Sequence, residues 1–536
     1  MVLTVDGINF TAEELVAMVL SHAVDISVAY SAESGSPIPP PTDCVLTVPS
    51  YATQHERRAL LDAALLADLN VLTLIEENTA AALQYAMDKT FQDEEQLILF
   101  YNMGASALQV TLVRFFSHEL PSKYGKAKQA PGFEVLSKTW DETCGGLAFD
   151  HLLVEHMADQ FNAHYATLKK ESDFDVRSNA RAMMKLRIQA NKVKHVLSAN
   201  LEIPVYLDGV YDDVPLHTTF TRDLLEELSK DLLVRASAPV QKALDIANKT
   251  VADLTAIELL GGGMRIPRVQ TELSAAVGGM DLGKHINGDE SMALGAAFAG
   301  ANISKSFRVR HVGMTDVNPF AMNVSLTDLD VAIQEGAWSK QATIFKSFGK
   351  VDVKKTIAFT HDEEVHVALD YEENEILPAG TKLPIERYNV TGVVAFAKEM
   401  EEKGLGKPKV SLQFELSASG ITALVKAEAA VEETYTVEEE VEVDEEGETN
   451  ATDAENATDA GNATEAGNAT ADNATKVEAK AKKTIMVQKV SDCASFISLC
   501  EVVVFRCLMT HLRCSAFVPL LLLFYQRKRK RSTSAH

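Results

Sequence analysis

Cysteine, basic charge and long apolar runs are what this chain has least of. Six cysteines in 536 residues exclude a disulfide-stapled scaffold. Only Cys44 and Cys144 precede residue 492. Cys493, Cys500, Cys507 and Cys514 follow at seven-residue spacing, near one helix face and without the closely spaced pairs of a zinc site. Lysine and arginine number 51 against 76 aspartates and glutamates, a net charge of −25, which argues against binding to the phosphate backbone of nucleic acid. The start, Met1-Val2-Leu3-Thr4-Val5-Asp6, lacks the basic region and long apolar run of a targeting signal. Near the end the longest uncharged run, Cys514 to Gln526, has 13 residues. A bilayer span takes about 20, and Glu501, Arg506, His511 and Arg513 interrupt the apolar stretch before it. The basic cluster Arg527–Arg531 suits a cytosolic flank, so residues 485–536 form an apolar and basic tail with a candidate membrane segment, and contact with a membrane stays open.

What is present is patterned. Thr11 and Glu14 form a capping box, and Leu15, Val16, Val19, Leu20 and Ala23 recur at helical spacing behind it. Cys44–Val48 and Val71–Ile75 read as buried strands, with a helix opening at Thr53 and another over Thr79–Met87. Gln96–Tyr101 and Ala107–Phe115 read as strands around a turn at Asn102–Ser106. This alternation predicts an α/β layer architecture. Beyond residue 310 the period falls to two: Val365, Val367 and Leu369 alternate with polar residues, as do Val410, Leu412, Phe414 and Leu416. That predicts antiparallel sheet, a β-sandwich, over residues 309–428. Residues 429–484 are acidic and repetitive. From Glu432 to Asn473 there are 15 acidic residues and no lysine or arginine. Asn-Ala-Thr occurs five times, starting at Asn450, Asn456, Asn462, Asn468 and Asn473. Too little apolar bulk is present to offset ordering entropy, so a disordered region is expected there.

Three glycine turns at strand ends carry the chemistry. Gly261-Gly262-Gly263-Met264-Arg265 lets backbone approach a flat ring or phosphate closely, and Arg265 can stack on a base. Gly104, Ala105 and Ser106 form a hairpin turn whose N–H groups can cradle phosphate. Gly145 and Gly146 open a helix whose N-terminus can face an anion. On the helix over residues 190–198, Lys194 and Ser198 share a face. Taken singly, each reads equally as an ordinary turn or a solvated basic face.

The same segments carry a resemblance. Leu259 to Gln270 resembles the adenosine-binding motif of the 70-kilodalton heat-shock protein family, as do Val45–Pro49 with Glu77-Asn78-Thr79-Ala80-Ala81-Ala82, and Ile286-Asn287-Gly288-Asp289-Glu290. Arg187 to Asn200, Leu282 to Asn287 and Ala301 to Arg310 are similar to its large endoplasmic-reticulum branch, the 170-kilodalton glucose-regulated or hypoxia up-regulated chaperones. The resemblance covers about residues 1 to 430. It implies an actin-like (ribonuclease H-like) ATPase domain over 1–308, followed by a β-sandwich that grips extended unfolded polypeptide. It also implies ATP or ADP as cofactor, with Mg²⁺ accompanying the nucleotide. The implied role is nucleotide exchange on a smaller partner chaperone, BiP, in the endoplasmic reticulum lumen. The family's first strand, phosphate hairpin and catalytic lysine correspond to sequence before Met1, which implies an ATPase domain incomplete at its N-terminus.

The implied nucleotide contacts are Gly104, Ala105, Ser106, Gly145, Gly146, Asn191, Lys194, His195, Ser198, Gly261, Gly262, Gly263, Arg265 and Asp289. Asn102 falls where the family has an acid, Ala107 where it has threonine, Asn191 where it has glutamate and His195 where it has arginine. An amide at residue 102 cannot act as an anionic base, so slow or absent hydrolysis is expected. Phe307–Pro319 lacks the family's acidic, leucine-rich linker, which puts ATP-driven coupling between the domains in question. Asn323 and Asn389, with Asn248, Asn302 and the repeat asparagines, begin glycosylation triplets. The competing readings are an actin-fold small-molecule kinase, which needs an acidic base and has no following sandwich, and a non-functional fragment.

Overall fold

Capping residues and strand alternation set the layers of the first 300 residues in the computed structural model. The structure describes residues 2–5, 7–89, 91, 95–120, 128–169, 173–304, 309–329, 338–436, 476–484 and 486–490. A hairpin, β1 (Val2–Val5) and β2 (Ile8–Thr11), leads into α1 (Ala12–Glu33). Thr11 Oγ1 accepts from Glu14 N at 3.2 Å, and Thr11 N donates to the Glu14 carboxylate at 2.8 Å, the reciprocal cap expected there. Then come β3 (Asp43–Val48), α2 (Gln54–Leu66), β4 (Asn70–Glu76) and α3 (Glu77–Asp88), with β3 and β4 parallel.

The central sheet starts with a meander of β5 (Gln96–Met103), β6 (Leu108–Leu120) and β7 (Lys128–Asp141). The chain then leaves it through α4 (Gly146–Lys169), α5 (Ala180–Leu197), the hairpin β8 (Glu202–Tyr211) and β9 (Val214–Thr221), α6 (Arg222–Leu228) and α7 (Lys230–Ile246). It returns as β10 (Ala256–Leu260), α8 (Pro267–Ala276), β11 (Leu282–Gly283), α9 (Ser291–Ile303) and β12 (Gly313–Thr315). The sheet order is β11-β10-β5-β6-β7-β12, with β10 parallel to β5 and β12 parallel to β7. Strand alternation divides its side chains between two cores. Leu97, Leu99, Tyr101 and Met103 pack with Phe149 and Leu153 of α4, Leu186 of α5 and Val240 of α7. Ile98 and Phe100 point the other way, onto Ala80–Ala86 of α3 and Ala296 and Phe298 of α9. This two-faced sheet is the actin-like α/β layering expected from the sequence.

Beyond residue 316 the elements are β13 (Val317–Asn318), β14 (Met322–Asp328), β15 (Ser339–Phe345), β16 (Gly349–Lys350), β17 (Val353–Thr360), β18 (Val365–Tyr371), β19 (Pro384–Thr391), α10 (Val393–Glu402), β20 (Lys409–Leu416), β21 (Thr422–Thr436), β22 (Lys476–Thr484) and β23 (Met486–Val490). Two antiparallel sheets, β15-β14-β18-β19-β23 and β17-β20-β21-β22, share one apolar core. Val324, Val367, Leu369 and Tyr388 of the first meet Leu412, Phe414, Leu424 and Ala429 of the second, and Phe396 of α10 joins them.

Two features differ from the sequence expectation. The segment expected to be disordered over 429–484 is ordered at both ends: β21 continues to Thr436, and residues 476–484 pair with it along their length. The physical reason is compositional. The run of acid without base ends before residue 476, where lysines return at 476, 480, 482 and 483, so the composition averaged over 429–484 does not hold at this end. The repeat asparagines Asn450, Asn456, Asn462, Asn468 and Asn473, and residues 491–536 with their apolar run, lie outside the described residues. In addition β12, which falls past the expected boundary at 308/309, adds to the edge of the first unit's sheet.

The two units meet at α2. Gln54 Nε2 donates to Thr422 O at 2.9 Å, Thr422 N donates to Gln54 Oε1 at 2.8 Å, and Gln54 N donates to the Tyr371 hydroxyl at 2.7 Å. Beside them lies a buried charge chain. Arg57 donates to Ser419 O at 3.1 Å and pairs with Glu76 at 2.8 Å. Glu76 pairs with Lys138 at 2.7 Å, and Lys138 with Asp316 at 2.6 Å. The Lys138 side chain is fully buried, so both carboxylates are needed to hold its charge.

Candidate functional site

The three glycine turns converge on one hairpin. Gly104 N donates to Ala107 O at 3.0 Å, which closes the turn between β5 and β6. α4 begins against this turn: Gly146 N donates to Gly104 O at 3.0 Å and Leu147 N to Ala105 O at 2.7 Å. A Cβ on Gly145 would stand 2.5 Å from Ala105 O, so only glycine lets the helix start this close. Gly261 reaches the turn from β10. Its φ of +80° favours glycine, and a Cβ there would stand 2.3 Å from Met103 O. Gly262 is different: a Cβ there would meet nothing within 4 Å, so its open side faces free space that a ligand can occupy.

This corrects one expectation. The N-terminus of α4 is expected from the sequence to be able to face an anion, but the N–H groups of Gly146 and Leu147 are taken by the hairpin carbonyls of Gly104 and Ala105.

Lys194 of α5 reaches the same place. Its Nζ donates to Gly146 O at 2.9 Å and to Asp150 Oδ2 at 2.8 Å, and Asn191 Nδ2 donates to the same oxygen at 3.0 Å. Lys194 therefore holds α4 against α5 in an almost buried ion pair. Ser198 Oγ donates to His195 O at 2.7 Å, which closes the end of α5, and the His195 side chain is exposed. Arg265 follows the Gly261–Gly263 turn and pairs with Asp289 at 2.9 Å, both largely exposed. Ala105 and Ser106 are exposed at the hairpin tip. The structure thus joins Gly104, Ala105, Gly145, Gly146, Gly261, Gly263, Asn191 and Lys194 through direct contacts or close approach. Arg265 with Asp289, and Ser198 with His195, form two flanking pairs.

Beneath the hairpin, Asn102 meets two residues to which sequence reasoning gave no individual role, Gln109 and Glu77. Asn102 and Gln109 are direct cross-strand partners of β5 and β6. Gln109 Nε2 donates to Glu77 Oε2 at 2.6 Å, and Asn102 Nδ2 approaches the same oxygen at 3.5 Å. Glu77 opens α3. Burial pushes its carboxyl above the ordinary glutamate value; the Gln109 hydrogen bond pulls against this and neighbouring Glu76 adds to it. The signal for Gln109 was available in the hairpin register: a two-strand turn over Asn102–Ser106 places residue 109 across from residue 102.

The glycosylation candidates in the second unit are strand residues. Asn389 of β19 shares a 2.9 Å hydrogen bond with His366, and Asn323 of β14 has a buried side-chain oxygen.

These features are those of a nucleotide-binding actin-like fold joined to a β-rich unit, and comparison with known proteins names the class. The Hsp70 protein family model matches residues 1–496, and the chain belongs to this family. It is 35% identical to Heat shock 70 kDa protein 17 of Arabidopsis thaliana over 428 residues, covering 79% of this chain and 48% of that protein. It is 32% identical to Hypoxia up-regulated protein 1 of Xenopus tropicalis over 441 residues, covering 80% and 65%, and 33% identical to the Homo sapiens protein of that name over 439 residues, covering 79% and 42%. The chain therefore spans less than two thirds of the length of each of these relatives, and it matches the large endoplasmic-reticulum branch.

Members of the family bind ATP or ADP with Mg²⁺. The open side of Gly262 beside Arg265 fits an adenine nucleotide. The hairpin does not fit Mg²⁺: a hard divalent cation takes oxygen ligands, carboxylates foremost. Asn102 and Gln109 instead direct N–H donors at Glu77. Among the described residues no group of three His, Cys, Asp or Glu side chains could hold a metal.

Proposed function

We propose that this protein is an adenine-nucleotide-binding chaperone of the endoplasmic reticulum. In this reading the first unit binds ATP or ADP between the Gly261–Arg265 turn and the end of α5. The two antiparallel sheets form a β-sandwich that holds unfolded polypeptide. The chain helps exchange nucleotide on a smaller partner chaperone, BiP. The observation that carries the reading is the convergence of three glycine turns on Gly104 with Gly262 left open beside Arg265. The lumenal location is supported by the relatives. α1 is long and apolar enough to cross a membrane by length and composition. Hydrolysis is slow, because residues 102 and 109 supply amides where a base or metal-water ligand would stand. The kinase reading needs that base and is disfavoured by the same residues.

The test is calorimetric titration of the chain with ADP. Arg265→Ala is expected to weaken binding roughly tenfold, the scale of one lost charged hydrogen bond. Equal affinity in the variant overturns the adenine assignment. A parallel assay of aggregation of a heat-denatured protein tests the holding role: the chain is expected to suppress it without added nucleotide.

A further inference from the structure

The amide pair beneath the hairpin does more than weaken a base. Gln109 is buried and its orientation is fixed from two sides. Its Oε1 accepts from Ser50 N at 2.7 Å, and a backbone N–H can only donate. Its Nε2 must therefore face Glu77, where it lies 2.6 Å from Oε2. Turning the amide would set donor against donor at Ser50 and acceptor against acceptor at Glu77. Asn102, opposite it in the ladder, brings a second N–H toward the same oxygen at 3.5 Å.

A carboxylate at residue 109 would accept from Ser50 equally well. It would also set a second anion against Glu77, a pair that calls for a cation between them. Glutamine keeps the first contact and replaces the cation with its own N–H. A cation approaching Glu77 Oε2 would have to displace Gln109 Nε2 and meet the positive ends of two amides.

We propose that Gln109 and Asn102 stand in for a cation at Glu77, so that the phosphate end of this site needs no divalent metal and adenine nucleotide binds equally well without Mg²⁺. The nucleotide half of this statement rests on the function proposed above; the metal half does not.

The experiment separates the two. The full chain is melted in EDTA and in excess Mg²⁺, with no nucleotide. The expected result is no shift for the unmodified protein and a saturable rise in melting temperature for Gln109→Glu, which restores an anion opposite Glu77. Where Gln109→Glu does not fold, Asn102→Asp serves the same arm. A saturable Mg²⁺ shift in the unmodified protein, abolished by Glu77→Gln, overturns the proposal. ADP is then titrated calorimetrically with Mg²⁺ and with EDTA. Affinities within about twofold of each other support the proposal, and tightening by Mg²⁺ of about tenfold, or ~1.4 kcal/mol, overturns it. Absence of ADP binding under both conditions removes the nucleotide reading, and the melting arm still decides the question of the metal.

Discussion

Gly261 and Gly262 are adjacent, and the structure asks different things of them. Gly261 has φ of +80° and no room for a Cβ beside Met103 O; Gly262 has room on its open side. Gly261→Ala should therefore destabilise the fold, on the order of 1–3 kcal/mol for a strained backbone position, with the contact to Met103 added. Gly262→Ala should leave the denaturant midpoint unchanged and lower nucleotide affinity, because the new methyl enters the space assigned to the ligand. Equal destabilisation by both substitutions would contradict this division. At this scale much was legible. The glycines mark where backbones approach, and the spacing of Lys194 and Ser198 put both on one helix. The use made of Lys194 was not legible, because its partner Asp150 lies 44 residues away and on another helix. Glu77 and Gln109 were hidden for a related reason: each is an ordinary residue in its own segment, and only the β5–β6 register against the start of α3 gives them a shared role.

At the scale of elements, a pair of charges pins β7 to α7. Arg235 donates to both carboxylate oxygens of Asp141, at 2.9 Å and 2.6 Å, and Thr143 N donates to the same carboxylate at 3.1 Å. Partial burial of Asp141 opposes its charge, but the Arg235 and Thr143 hydrogen bonds outweigh it and hold the carboxyl below the ordinary aspartate value. A carboxyl depressed in the folded state adds stability that is present above its unfolded value, near 3.9, and is lost as pH falls through the lower folded value. The stability difference between the unmodified protein and Asp141→Asn should therefore be constant at neutral pH and shrink on acidification, from about the unfolded value near 3.9 down through the lower folded value. A difference that grows on acidification would show that the pair does not act this way. Element existence was read well from period and caps, as at Thr11–Glu14. The two ends of the tail were misread because acidic composition was averaged over 429–484, and residues 437–475 lie outside the described residues. The strand at 476–484 lies where the acid run has ended, and its partner is fixed by ladder pairing rather than by local sequence.

For the whole molecule the question is how the two units are held together. Phe307–Pro319 lacks the acidic, leucine-rich run on which the expectation about ATP-driven coupling rested, and that expectation does not bear on how the units are joined. The units are joined by backbone pairing and by buried polar contacts. β12 adds to the β7 edge through backbone hydrogen bonds, which any side chains permit, and Lys138 of β7 takes Asp316 from the segment that follows. The opposite side of the junction is Gln54, whose side chain makes a two-point amide contact with Thr422. Trp140, two residues from Lys138 on β7, has its ring 5.9 Å from that of Phe320 and 6.3 Å from that of Tyr51. The chain has two tryptophans, Trp140 and Trp338. A Trp338→Phe background therefore makes Trp140 the sole indole reporter of the junction. Gln54→Ala leaves the backbone N–H and C=O of Thr422 buried without these partners, a penalty of roughly 1–3 kcal/mol per unpaired group, which falls on the docked arrangement and not on either core. The expected outcome is a red-shifted Trp140 emission and faster proteolytic cutting near residues 309–316, with the melting of each unit little changed. Unshifted emission together with unchanged cutting would mean that the amide contact does not hold the units together, and that the Lys138–Asp316 pair and β12 suffice.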